Sequence, residues 1–391
     1  MNFITRTVLS ILILSSCIGL SLSAMNQESI SCKNMSKQEL IQGIKLLPKE
    51  LKRHIIYLLL QRYPIVDFEV CKTFNLKIPL QTIAFYPDKD MCVAGSKYSS
   101  VLVYDYKAEK LIATFTDQNV IVSSLAFSSD GERFLSGSMD NSVCMYDSNK
   151  RLTRFSSISN NGSISVVWSP DGETALVGVY DGTGYIWNLK KAELIRTLKR
   201  HVKTIGSVAF SPEGERCITG SHDCTACVWN SKTGQRITTL LGHTDHILSV
   251  GFSPDGERCI TGSKDFTARV WNSTTGELLV KLQGGGGWIK SVAFSKDGEN
   301  CFTVSEASKV CLWNSKTGEL LSSFSFDIDY RISLVTLSGD GEPFVAGFKD
   351  STVRIAKPVY CFGCYLTSTR EERAFKYFMT LYPLLLPISD T

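Results

Sequence analysis

Two sets of residues in this chain have the types that acyl-transfer catalysis uses. His201, Thr219 and Asp223 stand with Trp229, and His243, Thr261 and Asp265 stand with Trp271, each member 42 residues after its counterpart. An imidazole, a carboxylate and a hydroxyl are the parts of a base, an orienting group and a nucleophile. A set that recurs at a fixed interval and offers no separate exposed nucleophile argues for a structural group instead. Cys224-x-x-Cys227 and Cys361-x-x-Cys364 have zinc-ligand spacing, but neither has a second pair nearby, so no metal is expected. His243-Thr244-Asp245-His246 is a loop pair whose first member already belongs to a repeated set. The chain contains no phosphate-binding Gly-rich loop, no Gly-x-Ser-x-Gly and no His-Glu-x-x-His. The expectation is a protein with no catalytic residues and no cofactor.

The elements that carry these residues repeat. The acidic residue of a Ser-Pro-Asp-Gly-type turn recurs as Asp88, Asp130, Asp171, Glu213, Asp255, Asp297 and Asp340, at intervals of 42, 41, 42, 42, 42 and 43 residues. One period reads as four short strands: Ser249–Phe252, Arg258–Ser263, Thr267–Asn272 and Glu277–Leu282. Each is rich in β-branched, aromatic and small apolar residues and is bounded by Gly, Asn, Asp or Pro. Such a unit cannot bury its own apolar faces and must stack on its neighbours. Four-stranded sheets repeated about an axis leave only short, protected edges. The fold class expected is all-β, a seven-bladed β-propeller of four-stranded antiparallel blades with short N- and C-terminal helical appendages.

The residues closing the third strand are Tyr104-Asp105, Tyr146-Asp147, Trp187-Asn188, Trp229-Asn230, Trp271-Asn272 and Trp313-Asn314, with Ile355-Ala356 in the seventh copy. With Gly242-His243 and Arg200-His201, this pattern resembles the WD-repeat propeller family over roughly residues 76–366. The resemblance implies structural tetrads, His201, Thr219, Asp223, Trp229 and His243, Thr261, Asp265, Trp271. It leaves the other copies incomplete, with Tyr98 and Ala307 in the Asp position of copies one and six. Seven copies supply six fourth strands between them, so a chain end must add the last. Glu69–Phe74 and Cys361–Leu366 are both placed for it.

Ser36–Arg62 reads as helix broken at Pro48, with Ser36 and Glu39 as a capping box. Leu47-Pro48-Lys49-Glu50-Leu51, Ile55-Ile56 and Val70–Phe74 resemble an F-box, which implies docking to a cullin-ligase adaptor. Residues 1–24 read as a secretory signal peptide, with Arg6 ahead of the apolar run Val8–Leu22. Leu14-Ser15-Ser16-Cys17 offers a lipid-anchor variant of the same idea. The domains expected are 1–24 signal, 25–63 F-box-like helical segment, 64–366 propeller and 367–391 helical tail, and the protein is expected to be exported. Thirteen cysteines would suit disulfides in that compartment, but Cys92, Cys217, Cys259 and Cys301 share one repeat position and read as small buried residues. A net charge of +4 does not imply nucleic acid.

The resemblance implies a binding face made by the fourth-to-first loops and the second-to-third turns. On it fall Lys97, Met139, Tyr180, His222, Lys264 and Lys349 before the turn, and His246, Trp288, Lys290 and Arg331 at the first strand. Gly284–Gly287 leave room to lift the Trp288 indole, with Lys264, Lys290 and Arg331 around it. The reading is a monomeric, non-enzymatic scaffold holding partner proteins, with no nucleic acid and no membrane span after signal cleavage. The alternative is an F-box/WD-repeat substrate receptor of a cullin ubiquitin ligase, delivered by a microbe into a host.

Overall fold

The computed structural model describes residues 65–360, except 77–79, 86–90, 99, 106–107, 109, 117–120, 141, 148–151, 156–162, 326–331, 338–343 and 349–351. The chain divides into two units, Asp67–Val359 and a second made of Met1–Val66 with Tyr360–Thr391. The signal segment, the Ser36–Arg62 helix, Leu47, Pro48, Glu50, Leu51, Cys17, Cys361, Cys364 and the tail 367–391 lie outside the described residues.

All the described elements are strands, twenty-eight of them, numbered β1–β28 along the chain. They form seven four-stranded sheets. Copy five is β18 (Ile247–Phe252), β19 (Arg258–Ser263), β20 (Thr267–Asn272) and β21 (Leu278–Gln283), paired antiparallel in sequence order. The first strands are β2 (Leu80–Phe85), β6 (Val122–Phe127), β10 (Ser163–Trp168), β14 (Ile205–Phe210), β18, β22 (Ile289–Phe294) and β26 (Ile332–Leu337). Each contacts the next and β26 returns to β2, so the sheets close as a seven-bladed propeller.

The chain ends meet in the seventh sheet. Its order is β1 (Ile65–Asn75), β28 (Thr352–Tyr360), β27 (Phe344–Phe348), β26. Of the two segments placed to complete the ring, the N-terminal one lies in the sheet. Val70–Phe74, the end of the F-box-like span, are therefore strand residues. A segment extended in a sheet cannot also be the last helix of an F-box.

Burial follows position in the blade. The second strand Arg258–Ser263 is buried from Cys259 onward, on both faces, as sheets between sheets require. The fourth strand Leu278–Gln283 is mostly exposed. The apolar clusters lie between blades: Ile260, Ala268 and Val270 of copy five pack with Ile289, Val292, Cys301 and Trp313 of copy six. Gly262 marks the closest approach, since a Cβ there would stand 2.7 Å from Ile289 Cγ2 and 2.8 Å from Val292 Cγ1.

Polar bonds stitch the same seams. Ser207 Oγ accepts from the Val250 N–H at 3.2 Å, and Ser249 Oγ from Val292 N–H at 3.2 Å. On the opposite edge the Arg258 guanidinium donates to Ser315 Oγ at 2.7 Å and Gly298 O at 2.8 Å, and lies 5.3 Å from the Phe294 ring centre. The Ser-Pro-Asp-Gly turn of copy five is closed largely by its own residues. Ser253 Oγ accepts from Arg258 N–H, Asp255 accepts from Glu257 N–H, and Gly256 takes φ 71°, which its missing Cβ permits. The cysteines whose side chains are described form no disulfide, and Cys92, Cys217, Cys259 and Cys301 are fully buried. Burial pushes the thiols of Cys92 and Cys301 up to about 12, so they persist as uncharged core residues.

Candidate functional site

In copies two, four, five and six the second-to-third turn is tied to the head of the first strand in its own blade. The N–H of Met139, His222, Lys264 and Glu306 donates to the carbonyl of Ile121, Thr204, His246 and Trp288 respectively. This pairing fixes two side chains per blade on one edge of the ring. Neighbouring blades then join them. The rings of His222 and His246 stack with centres 4.4 Å apart and planes 8° apart. Lys264 Nζ lies 4.6 Å from the Trp288 ring centre. The same step, a turn residue onto the next blade's strand head, makes both contacts.

Trp288 is 36% exposed, so the glycines before it do not lift the indole clear; Lys264 holds it at the edge of copy six. Lys290 pairs with Glu306 at 3.9 Å. Met139, Tyr180 and Lys97 are exposed on the corresponding turns of copies two, three and one. Arg331 and Lys349 lie outside the described residues. Burial, then His246 and Lys264, lowers the proton affinity of His222.

Beneath this edge sit the two histidine sets. Trp271 Nε1–H donates to Thr261 Oγ1 at 2.9 Å. Thr261 lies 2.7 Å from His243 Nε2, and His243 Nδ1 lies 2.7 Å from Asp265 Oδ2. The only consistent direction is Trp to Thr to neutral His to Asp. Copy four has the same three contacts, with Trp229–Thr219 at 2.9 Å, Thr219–His201 at 2.8 Å and His201–Asp223 at 3.0 Å. Thr219 and Thr261 are wholly buried and their hydroxyl protons are taken. Neither is placed to attack a substrate. Copy six keeps the Trp313–Thr303 bond at 2.9 Å alone.

The two imidazoles differ because of one neighbour. Burial lowers the proton affinity of both. At His201, Asp223 and the Cys227 thiol overcome it and hold the group up at about 9. At His243, burial together with Arg269 and Lys281 outweighs Asp265, and the value lies below the ordinary one. Arg269 occupies the place in copy five that Cys227 occupies in copy four.

The carboxylates give a pH prediction. Burial would raise Asp265, but Thr267, His243 and the Thr244 N–H hold it down at about 2, and Asp223 is likewise lowered. A carboxylate lowered on folding stabilises the fold above its unfolded value near 3.9 and ceases to do so as pH falls through the folded value. Melting temperature should therefore fall between about pH 4 and pH 2. Asp265→Asn should flatten that part of the profile, and an unchanged slope would refute the assignment.

Five consecutive segments, 109–147, 152–188, 192–230, 234–272 and 276–314, match the family described as WD domain, G-beta repeat. The chain is a WD-repeat protein. Its sheets beyond the matched segments, at both ends of the ring, have the same strand order except where β1 completes the seventh. Among similar proteins are U3 small nucleolar RNA-associated protein 15 homolog of Gallus gallus, 29% identical over 29% of this chain and 22% of that protein. Periodic tryptophan protein 2 homolog of Schizosaccharomyces pombe is 26% identical over 33% of this chain and 16% of its own length. Guanine nucleotide-binding protein subunit beta-5b of Danio rerio is 28% identical over 27% and 28%. The chain matches less than a third of the length of each of these relatives.

These relatives correct the expectation of export. Relatives named for association with a small nucleolar RNA run against a secreted protein, so export is not carried further. The physical reason is plain: Val8–Leu22 carries hydropathy alone, and a short apolar run does not specify secretion.

Two residues of this WD-repeat protein were not singled out from the sequence. Phe266 is 54% exposed at φ 65° on the turn beside Lys264. Arg269 lies 5.9 Å from the Trp271 ring centre. Their signal is departure from the repeat: Cys224 and Ser308 stand where Phe266 does, and Cys227 and Cys311 where Arg269 does.

Proposed function

We propose that this WD-repeat protein is a non-enzymatic scaffold that holds partner proteins on its loop edge, centred on Trp288, Lys264, His222 and His246. One observation carries the reading: a part-exposed indole under a lysine ammonium, beside a stacked imidazole pair, all held by three consecutive blades. Large aromatic area with a cation at its border is the composition of an interface hot spot. Phe266, Met139 and Tyr180 extend the apolar area around the same edge, and Lys97 and Lys290 belong to its periphery. The tetrads support the edge and take no part in contact. The relatives' names differ in what they associate with, which fits shared repeats serving different partners. Val70–Phe74 in β1 count against the F-box alternative, and no observation favours it.

Trp288→Ala should remove at least one partner from quantitative affinity capture, by about tenfold or more, while the melting temperature changes by less than about 3 °C. Ile237→Ala, on a fourth strand, should leave the captured set intact. An identical set from wild type and Trp288→Ala would refute the proposal. A large loss of melting temperature would show the indole to be core.

A further inference from the structure

We infer that copy five carries an oxyanion-binding site built from Arg269 and Lys281, separate from the Trp288 edge and independent of the reading given to it. The two residues stand directly opposite each other on β20 and β21, so both side chains leave the same face of the sheet. Like charges so placed destabilise a sheet unless something neutralises them. In the adjoining copies the same paired positions hold Cys227 with Thr239 and Cys311 with Ser323, and no other described copy puts two cations there.

Nothing among the described residues supplies the counter-charge. Among the described residues no hydrogen bond or ion pair reaches the Arg269 guanidinium, and its Nε is buried without a partner. Asp265, two turns of the pleat away on the same strand's approach, is already engaged by His243, Thr244 and Thr267. Two cations held side by side without a counter-charge cost free energy that a bound oxyanion would recover. The site is shaped as well as charged. The guanidinium lies by the Trp271 ring, and a Cβ on Gly242, at φ 144°, would come 2.3 Å from Arg269 Nη1. Glycine there leaves room for the guanidinium itself. Lys281 is exposed, so the site opens to solvent. The uncompensated field of both cations also acts on His243.

The ligand chemistry is a carboxylate or phosphate oxygen pair facing a guanidinium and an ammonium. Its sources are an acidic segment of a partner or free phosphate. The test uses the full chain, with ¹⁵N spectra of the Arg269 Nε–H, assigned by its loss in Arg269→Cys. Inorganic phosphate and a glutamate-rich hexapeptide are titrated separately at constant ionic strength. Phosphate should shift that resonance with a Kd of about 1–10 mM. The Arg269→Cys, Lys281→Thr double change, which installs copy four's pair, should abolish the phosphate-induced rise in melting temperature. Lys281→Thr alone should weaken binding by about tenfold, and Lys281→Glu should abolish it while raising the melting temperature without phosphate. Tighter binding of the peptide assigns the site to an acidic partner segment, and tighter binding of phosphate to the free anion. No shift with either probe, or an equal melting response in wild type and the double variant, overturns the site.

Discussion

Thr261→Val should lower the melting temperature by roughly 5–15 °C, although it exchanges one hydroxyl for one methyl. The hydroxyl is the hinge of the copy-five tetrad. It accepts from Trp271 Nε1–H at 2.9 Å and donates to His243 Nε2 at 2.7 Å, at a position with no exposure. Its loss strands a donor and an acceptor, each costing about 1–3 kcal/mol when buried. Thr219→Val should behave alike, because copy four has the same three bonds. Thr303→Val should cost about half as much. Copy six has Gly285 where copies four and five have histidine, so only Trp313 Nε1–H and a contact to the Cys311 thiol are lost. Thermal melts of the three variants decide the matter. Equal losses at positions 261 and 303 would show that the histidine bond contributes nothing.

The second large effect is at Gly262. Gly262→Val should destabilise by about 3 kcal/mol, through crowding across a blade seam. A Cβ alone would meet Ile289 and Val292 inside contact distance, and valine adds two methyls to it. The seam cannot open locally, because Ser249 Oγ and the Val292 N–H tie the same two blades. Ile289→Ala in the Gly262→Val background should return part of the lost stability, whereas Ile289→Ala alone should destabilise by cavity formation. Additive losses in the double variant would exclude crowding as the cause. Gly95, Gly178 and Gly220 at the equivalent places of copies one, three and four meet the next blade as closely, whereas copy six accommodates Val304 with 3% exposure.

Much of this architecture was legible because it is local. The second and third strands of copy five run Arg258–Ser263 and Thr267–Asn272 in the sequence pattern and in the structure alike. Turn residues with fixed conformational needs bound each strand, and the same sentence repeats often enough to remove ambiguity. The compartment was misread for the opposite reason. A single unrepeated apolar run had nothing to check it against.

The contact edge was only partly legible. Lys264, Trp288, His222 and His246 were each placed by their period, yet their pairing was not. His222 meets His246, and Lys264 meets Trp288, across a gap between blades that no spacing within one repeat encodes. Arg269 was missed because a strand position filled by cysteine in the copies on either side reads as core.

The order of residues alone determined the kind of unit, its period and the residue types at each turn, since these rest on short-range propensity. Which chain end completes the seventh sheet, which loops face each other, and which cation has no counter-charge were decided only when the ring closed. Those contacts join residues tens to hundreds of positions apart, and their energies exist only once neighbouring sheets have packed.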